Sequence, residues 1–214
     1  LRLCPLGGRL VPGVPYSLHV LLEGHSSLGP EGGGRAEGSI SLVRGGPVTA
    51  LVDTGGPWAR GQLLGLLAAQ GLRPEEVTHV VVTHGHSDHV GNVNLFPEAT
   101  LVVGTDVSLQ DGLYLPQGLA WGLPYALHPG HLEVVPTPGH TLDHVSLLLR
   151  GTSLGTVLVA GDLFERQEDE EVWRSLSQDQ AQQERSRSWA LSVADVIVPG
   201  HGAAFRVCRQ GEVP

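Results

Sequence analysis

Residues 78–89, THVVVTHGHSDH, decide more about this chain than any other stretch. Their first half is apolar and β-branched, which predicts a buried strand over 78–82. Their second half places three histidines and one aspartate within six residues, namely His84, His86, Asp88 and His89. A turn does not need so many metal-ligating side chains for its own structure. We therefore predict a metal site where this strand ends.

Three further ligand-type residues follow apolar runs, each in a turn marked by Gly or Pro. They are His140 after 132–135, Asp162 after 156–160 and His201 after 193–198. Stacked strands bring their ends to one edge, so we expect all four turns to meet there. Five imidazoles and two carboxylates are too many for one tetrahedral ion, but they suit two zinc ions about 3.5–4 Å apart that share a carboxylate. Iron or manganese also accepts these ligand types.

The composition is that of a globular chain. Its 214 residues are 41% hydrophobic and 16% charged, which fits one domain over 1–214. No apolar run approaches the roughly 20 residues of a membrane span. The net charge of −9 argues against a broad nucleic-acid-binding surface. Cys4 and Cys208 are too few for a disulfide scaffold, so we expect the cytoplasm or the nucleus; a homodimer stays open.

Predicted strands come in two batches, each followed by a helix, which favours an α/β fold of two packed sheets with helices outside. Helical spacing predicts helices over 58–70 and 168–191, the second with Trp173, Leu176 and Trp189 buried.

Three polar or irregular stretches carry separate expectations. Residues 23–38, rich in Gly, Ser and Pro, are predicted to form a mobile hairpin loop. Residues 108–124 lack periodicity and suit an ordered loop near a site. The acidic run 165–171 is predicted to be a solvated helix start.

The ligand pattern resembles that of the metallo-β-lactamase superfamily, over nearly the whole chain. The resemblance implies a four-layer αββα sandwich with a dinuclear site at one edge. The implied ligands are His84, His86 and His140 for the first zinc ion, Asp88, His89 and His201 for the second, and Asp162 as the bridge. It also implies that Asp53, in the stretch VDTG, orients the metal-binding loop. His144, four residues past His140, is a candidate for a similar supporting role.

Finer features point to one branch of the superfamily. Asp88-His89 with a bridging aspartate is similar to the glyoxalase II and tRNA-processing ribonuclease branches. Other stretches resemble a group of small single-domain animal members: 51–60, 161–166, 183–187, 198–202 and 205–207. That resemblance implies an endoribonuclease acting on histone pre-mRNA. Residues 139–144 are closer to the generic hydrolase pattern, so the substrate stays open.

The expected reaction is hydrolysis by a metal-bridging hydroxide, because two zinc ions lower the pKa of shared water to about 7. Asp88 and Asp162 are the candidate catalytic residues, and Asp88 is expected to hold or accept the proton. Candidate pocket walls and anion contacts are Trp58, Tyr114, Leu115, Trp121, Arg166 and Arg185.

Several hypotheses compete for the function. Cleavage of single-stranded RNA rests on the family resemblance. A glyoxalase II-like hydrolase of a small thioester or acyl compound is the main alternative. A mononuclear iron dioxygenase of persulfides shares some ligand positions. A binding protein that kept only the fold is disfavoured by the intact set of seven ligands.

Overall fold

The computed structural model describes residues 1–29 and 33–209. Within those residues the strands are β1 (Arg2–Pro5), β2 (Leu10–Val11), β3 (Ser17–Leu22), β4 (His25–Leu28), β5 (Gly34–Glu37), β6 (Ile40–Arg44), β7 (Ala50–Val52), β8 (His79–Val82), β9 (Thr100–Val103), β10 (Asp106–Ser108), β11 (Tyr125–His128), β12 (Leu132–Pro136), β13 (Val145–Thr152), β14 (Gly155–Gly161), β15 (Val196–Pro199) and β16 (Phe205–Cys208). The α-helices are α1 (Arg60–Ala69), α2 (Ser87–Val90), α3 (Val172–Leu176) and α4 (Gln180–Val193), and short 3-10 turns cover Pro57–Ala59, Pro74–Glu76, Val93–Leu95 and Leu119–Trp121.

Two seven-stranded mixed sheets dominate the architecture. The first has the order β1-β16-β15-β14-β13-β12-β11, and the second has the order β10-β9-β8-β7-β6-β3-β2. Parallel pairing joins β14 to β15 in the first sheet, and β7, β8 and β9 in the second. The strands β4 and β5 form a separate two-stranded hairpin.

Three apolar layers hold the sheets and helices together. The central layer lies between the two sheets and includes Val52 and Val81 from one and Val159 from the other. Outside the second sheet, Leu63 and Leu67 of α1 are fully buried, each a contribution of roughly 1.5–3 kcal/mol. Outside the first sheet lies a third layer that α4 helps to form. Helix, sheet, sheet and helix therefore follow one another, which confirms the predicted α/β four-layer αββα sandwich.

The ends of three central strands meet at one edge of the sandwich. Because β14 and β15 run parallel, their carboxyl ends lie side by side. The end of β8 joins them from the opposite sheet: the backbone oxygen of Thr83 accepts a 2.9 Å hydrogen bond from Val145 N. Gly161, at the end of β14, has a φ of +53° and packs against Thr83 so closely that a Cβ would lie 2.7 Å from its hydroxyl. The two sheets are thus in contact where the histidine cluster begins.

The predicted continuous helix over 168–191 is wrong, because the chain turns at Asp179. The carboxylate of Asp179 accepts a hydrogen bond from Gln182 N at 2.9 Å and caps a new helix, α4. Trp173 is buried as expected, but Leu176 is 47% exposed and Trp189 is 37% exposed.

The predicted loop over 23–38 contains regular structure. Its strands β4 and β5 pair antiparallel from His25 opposite Glu37 to Leu28 opposite Gly34. Residues 30–32, at its tip, lie outside the described part of the chain. The polar composition did not indicate these two strands. They pack over the loops that carry the ligand-type residues and not in the apolar core.

The strands nearest the two chain ends, β1 and β16, are neighbours in the first sheet. This pairing brings the sulfur atoms of Cys4 and Cys208 to 2.7 Å from each other. Within the described residues, no helix has the combined length and hydropathy needed to cross a membrane.

Candidate metal centre

The first group of ligand-type side chains comes from the turns after β8 and β12, with the carboxylate that follows β14. His86 Nδ1 lies 2.9 Å from His84 Nε2 and 3.1 Å from His140 Nε2. Asp162 Oδ2 lies 3.2 Å from the same His140 atom and 3.6 Å from His84 Nε2. These four residues offer ligand atoms that are all within 4.8 Å of one another.

The second group combines α2 with the turn after β15. Asp88 Oδ2 lies 3.7 Å from His89 Nε2 and 3.7 Å from His201 Nε2. These atoms also fall within 4.8 Å of one another. Asp162 reaches this group as well, with Oδ1 3.1 Å from His89 Nε2 and Oδ2 3.3 Å from His201 Nε2. Asp162 therefore lies between the two groups, where a bridging carboxylate has to be.

Asp53 fixes the orientation of one histidine in each group. It is the only non-glycine residue of positive φ (+58°) in the described chain. Its Oδ2 accepts hydrogen bonds from His89 Nδ1 at 2.7 Å and from the Thr83 hydroxyl at 2.9 Å. Since the Thr83 hydrogen is used there, its oxygen accepts from His84 Nδ1, 3.1 Å away. Both histidines are thereby held with Nε2 directed at the cluster.

His201 is oriented by the hairpin. Its Nδ1 donates to the backbone oxygen of Glu37, the last residue of β5, at 3.1 Å. The Glu37 carboxylate in turn accepts hydrogen bonds from Gly56 N at 2.7 Å and from the Trp58 indole. Sequence reasoning did not single out Glu37, because nothing in its own surroundings in the chain distinguishes it from a loop carboxylate.

The buried polar atoms of the cluster fit a pair of cations. Asp88 Oδ2, His89 Nε2 and Asp162 Oδ1 are buried and have no hydrogen-bond partner. Leaving such atoms unpaired costs roughly 1–3 kcal/mol each, and more for charged groups. Imidazole nitrogen and carboxylate oxygen are both zinc ligands, so bound divalent cations would satisfy all three.

The pKa values of His84, His140, His89 and His201 divide along the same two groups. Burial lowers the pKa of His84 well below its usual value and that of His140 to about 4. Burial also acts to lower the pKa of His89, but the charges of Asp162 and Asp53 outweigh it and raise the value well above normal. In the same way, the hydrogen bond and charge of Asp162 overcome burial and raise the pKa of His201 to about 9. The carboxylates thus attract positive charge to the second group.

His144 lies beside the cluster and belongs to neither group. Its ring stacks on that of His84 at a centroid distance of 5.2 Å, and its Nδ1 is 3.0 Å from the Thr137 hydroxyl. Complete burial lowers its pKa to about 3, so the ring is neutral.

A cavity of about 530 Å³ opens over the cluster and contains His86, Asp88, His140, Asp162 and His201 in its walls. Among the predicted substrate contacts, Arg166 lines this cavity. Trp121 and Arg185 line two separate cavities. Leu115 packs against the layer between the sheets.

Two predicted aromatic contacts are absent from the described lining of that cavity. Trp58 is 65% exposed and Tyr114 is 66% exposed. Both stand in Gly- or Pro-containing stretches whose path over the surface is set by tertiary contacts. For that reason the aromatic residues were harder to place than the ligands.

The prediction that the acidic run 165–171 is solvated is wrong for two of its residues, whose carboxylates are buried. Glu165 is 2% exposed and Asp169 is 2% exposed, whereas both were predicted to be solvated. Glu165 lines the cavity beside Asp162 and His201. Burial and the neighbouring charge of Asp162 raise its pKa to about 8. Its position three residues after Asp162 was the one available signal.

Comparisons with known proteins agree with this arrangement. The family described as the metallo-beta-lactamase superfamily matches residues 33–201. The metallo-beta-lactamase domain-containing protein 1 of Xenopus laevis is 53% identical over 213 residues, which cover 98% of this chain and 89% of that protein. This relative represents the group of small animal proteins expected from the sequence, so that resemblance is confirmed.

Two more distant proteins extend the comparison. An N-acyl homoserine lactonase from a Bacillus species is 30% identical over 148 residues, which cover 59% of each chain. The crystal structure of a metallo-beta-lactamase from Pseudomonas aeruginosa, in its mono-zinc form, has a TM-score of 0.59 at 16% identity and covers 92% of this chain and 88% of its own. With fold, ligand-type cluster and sequence in agreement, the chain belongs to the metallo-β-lactamase superfamily of metal-dependent hydrolases.

Proposed function

We propose that this chain is a hydrolase that holds two zinc ions and cleaves phosphodiester bonds of single-stranded RNA, with histone pre-mRNA as the expected substrate. The observation that carries the metal-dependent part is the convergence of seven ligand-type side chains around buried atoms without hydrogen-bond partners. The choice of RNA follows the group of relatives that the sequence resembles. A pre-mRNA substrate would place the activity in the nucleus or the cytoplasm.

The division of labour follows from the two groups of side chains. When bound, a pair of divalent cations lowers the pKa of water and polarises the oxygen of the bond under attack. Asp162, 3% exposed, would hold both cations in place. Asp88 borders both the cavity and the second group, and its carboxylate would accept the proton of the attacking water.

Two arginines in the cavity support the choice of an anionic substrate. Arg35 of the hairpin and Arg166 both line the cavity that contains the ligand cluster. Neither forms an ion pair or side-chain hydrogen bond with any described residue. Unpaired guanidinium groups beside a metal pair favour a phosphate, which they can bind in a bidentate manner. These two guanidinium groups line the cavity of a chain whose net charge is −9.

A small acyl or thioester substrate is the second candidate. A cavity of about 530 Å³ is the size of a small-molecule site, and Val172 and Leu176 give it an apolar wall. The predicted pocket-wall residues Tyr114 and Trp121 do not line it, although sequence-tolerant RNA binding usually relies on aromatic stacking. The lactonase relative also acts on an acyl compound, as its name states.

The deciding experiment compares both substrate classes on one preparation. Zinc-loaded protein is assayed on labelled single-stranded RNA and on S-lactoylglutathione, before and after treatment with a chelator and again after zinc is restored. We expect RNA cleavage that needs zinc and falls steeply as salt is added.

Matched variants separate substrate binding from metal chemistry. Arg166→Gln is expected to raise the KM for RNA about tenfold, because a charge-assisted contact is lost. Arg185→Gln, in a separate cavity, serves as the control. Thioester turnover without RNA cleavage would favour the second candidate. One iron per chain would contradict the two-zinc proposal and favour a mononuclear iron dioxygenase.

A further inference from the structure

Glu165 is a buried carboxylate without an evident structural task for its side chain. It is 2% exposed, and its Oε1 has no hydrogen-bond partner. A carboxylate in that position loses its hydration, which is a large cost unless a cation or donor compensates for it. Glu168, three residues later, is exposed as an acidic run normally is. A nearby cation, or protonation of the carboxylate, must therefore offset its burial.

The surroundings of Glu165 identify what offsets this cost. Its Oε2 lies 4.0 Å from His201 Nε2, and its carboxylate, Asp162 and His201 offer ligand atoms within 4.8 Å of one another. Two ligand atoms that bind the same zinc ion, each at about 2.0–2.2 Å, can be separated by up to about 4.4 Å. We propose that Glu165 is an eighth ligand of the metal centre, a carboxylate that joins Asp162 and His201 on the side facing the cavity. This inference rests on the proposed metal-dependent function.

The backbone of Glu165 is fixed with the precision that a ligand needs. Its oxygen accepts a 2.8 Å hydrogen bond from His201 N, which ties the two residues together. Its own N–H donates to the Asp169 carboxylate at 2.9 Å. Asp169 is held in turn by Trp173 N at 3.0 Å and by Arg187 at 3.2 Å.

This supporting network is itself buried. The Arg187 guanidinium lies over the Phe164 ring at 4.1 Å and close to that of Trp173 at 4.8 Å. The network orients the residues next to Asp162 and His201, but it offers no hydrogen-bond partner to Glu165 Oε1. An extra oxygen donor there would make the second group richer in carboxylates, which favours harder divalent cations such as Mn²⁺ beside Zn²⁺.

The test measures metal binding and does not depend on substrate. Metal-free wild-type protein, Glu165→Gln and the exposed neighbour Glu168→Gln are titrated with Zn²⁺ against a chromophoric chelator and with Co²⁺ by visible absorption. Gln keeps the size of the side chain and both backbone hydrogen bonds. For Glu165→Gln we expect at least about tenfold weaker binding of one ion and an altered Co²⁺ ligand-field spectrum. Glu168→Gln should match the wild type.

The outcomes separate this inference from the proposed function. Wild-type protein that binds two ions, with Glu165→Gln unchanged in affinity and spectrum, overturns the inference alone. Wild-type protein that binds no metal overturns both. Glu165→Asp, which keeps the charge on a shorter side chain, is expected to bind the affected ion with intermediate affinity. This variant also tests the inference if Glu165→Gln does not fold.

Discussion

The two halves of the metal centre are built differently. In the half formed by His84, His86 and His140, His84 Nδ1 has a hydrogen-bond partner outside the cluster and His140 Nδ1 has none, while His86 directs its Nδ1 at the other two ligands. In the half formed by Asp88, His89 and His201, both imidazoles donate from Nδ1 to a fixed oxygen. The second half is therefore preorganised by the polypeptide, whereas the first would rely more on a bound ion for its geometry.

The two halves of the metal centre also differ in the pKa values of their histidines. Burial keeps His84 and His140 neutral, which is the form that binds a metal. In the other half, carboxylates raise the pKa of His89 and His201. Positive charge is thus favoured in the second half and disfavoured in the first. Five variants test this contrast.

Asp162→Ala should have the largest effect, because this carboxylate contacts both halves. We expect both ions and all turnover to be lost, which exceeds the roughly 100-fold loss of metal affinity typical of supporting residues. The fold should persist, since its three apolar layers do not include Asp162. Elemental analysis and circular dichroism measure the two effects. Retention of two ions would contradict the bridging role of Asp162.

His86→Ala should affect the first half of the metal centre and leave the second half able to bind its ion. The His86 side chain is exposed and its Nδ1 lies beside His84 and His140, two ligands of the first half, so we expect the metal content to fall from two ions to one. Zinc stoichiometry after gel filtration measures this. Loss of both ions would show that the halves do not bind independently, and the contrast between them would then be wrong. His25→Ala, in the hairpin, is the control histidine.

Asp53→Asn should weaken both halves, and the second more strongly. Asn tolerates the left-handed backbone at this position, so the change removes the charge that holds His89 with little added strain. We expect a loss of about 10–100-fold in metal affinity, measured by chelator competition. Thr83→Val removes only the relay to His84 and should weaken the first half alone. Equal effects of the two variants on both ions would count against the relay.

Trp58→Phe should have the smallest effect. The indole N–H donates to Glu37, which orients His201 through its backbone oxygen. Loss of that hydrogen bond is expected to lower the free energy of unfolding by about 1 kcal/mol and to change metal affinity less than tenfold. Thermal unfolding of metal-free protein measures the first quantity. A lost ion would mean that Trp58 has a direct role in the second half.

The sequence allowed prediction of the sandwich and of the side chains that cluster, because both depend on local patterns. Apolar runs predict strands, and a ligand just after each run predicts a shared edge. Glu165 and Asp169 were not predicted, because their burial depends on Arg187 and His201, which are distant in sequence. The break in the helix near Asp179 was not predicted, because it depends on a single N-cap hydrogen bond. The position of Trp121 was not predicted either, because it depends on the path of an irregular segment.

The hairpin formed by β4 and β5 has two roles that are mechanically joined. Ser26, Ser27 and Arg35 on its strands line the cavity, while Glu37 at its base orients His201. Next to it, the Gly38 N–H donates to the backbone oxygen of Asp88 at 3.2 Å. With two ions bound, a substrate that favoured one hairpin position would therefore alter the retention of the second ion. By thermodynamic reciprocity, that ion would alter the affinity for this substrate by the same factor.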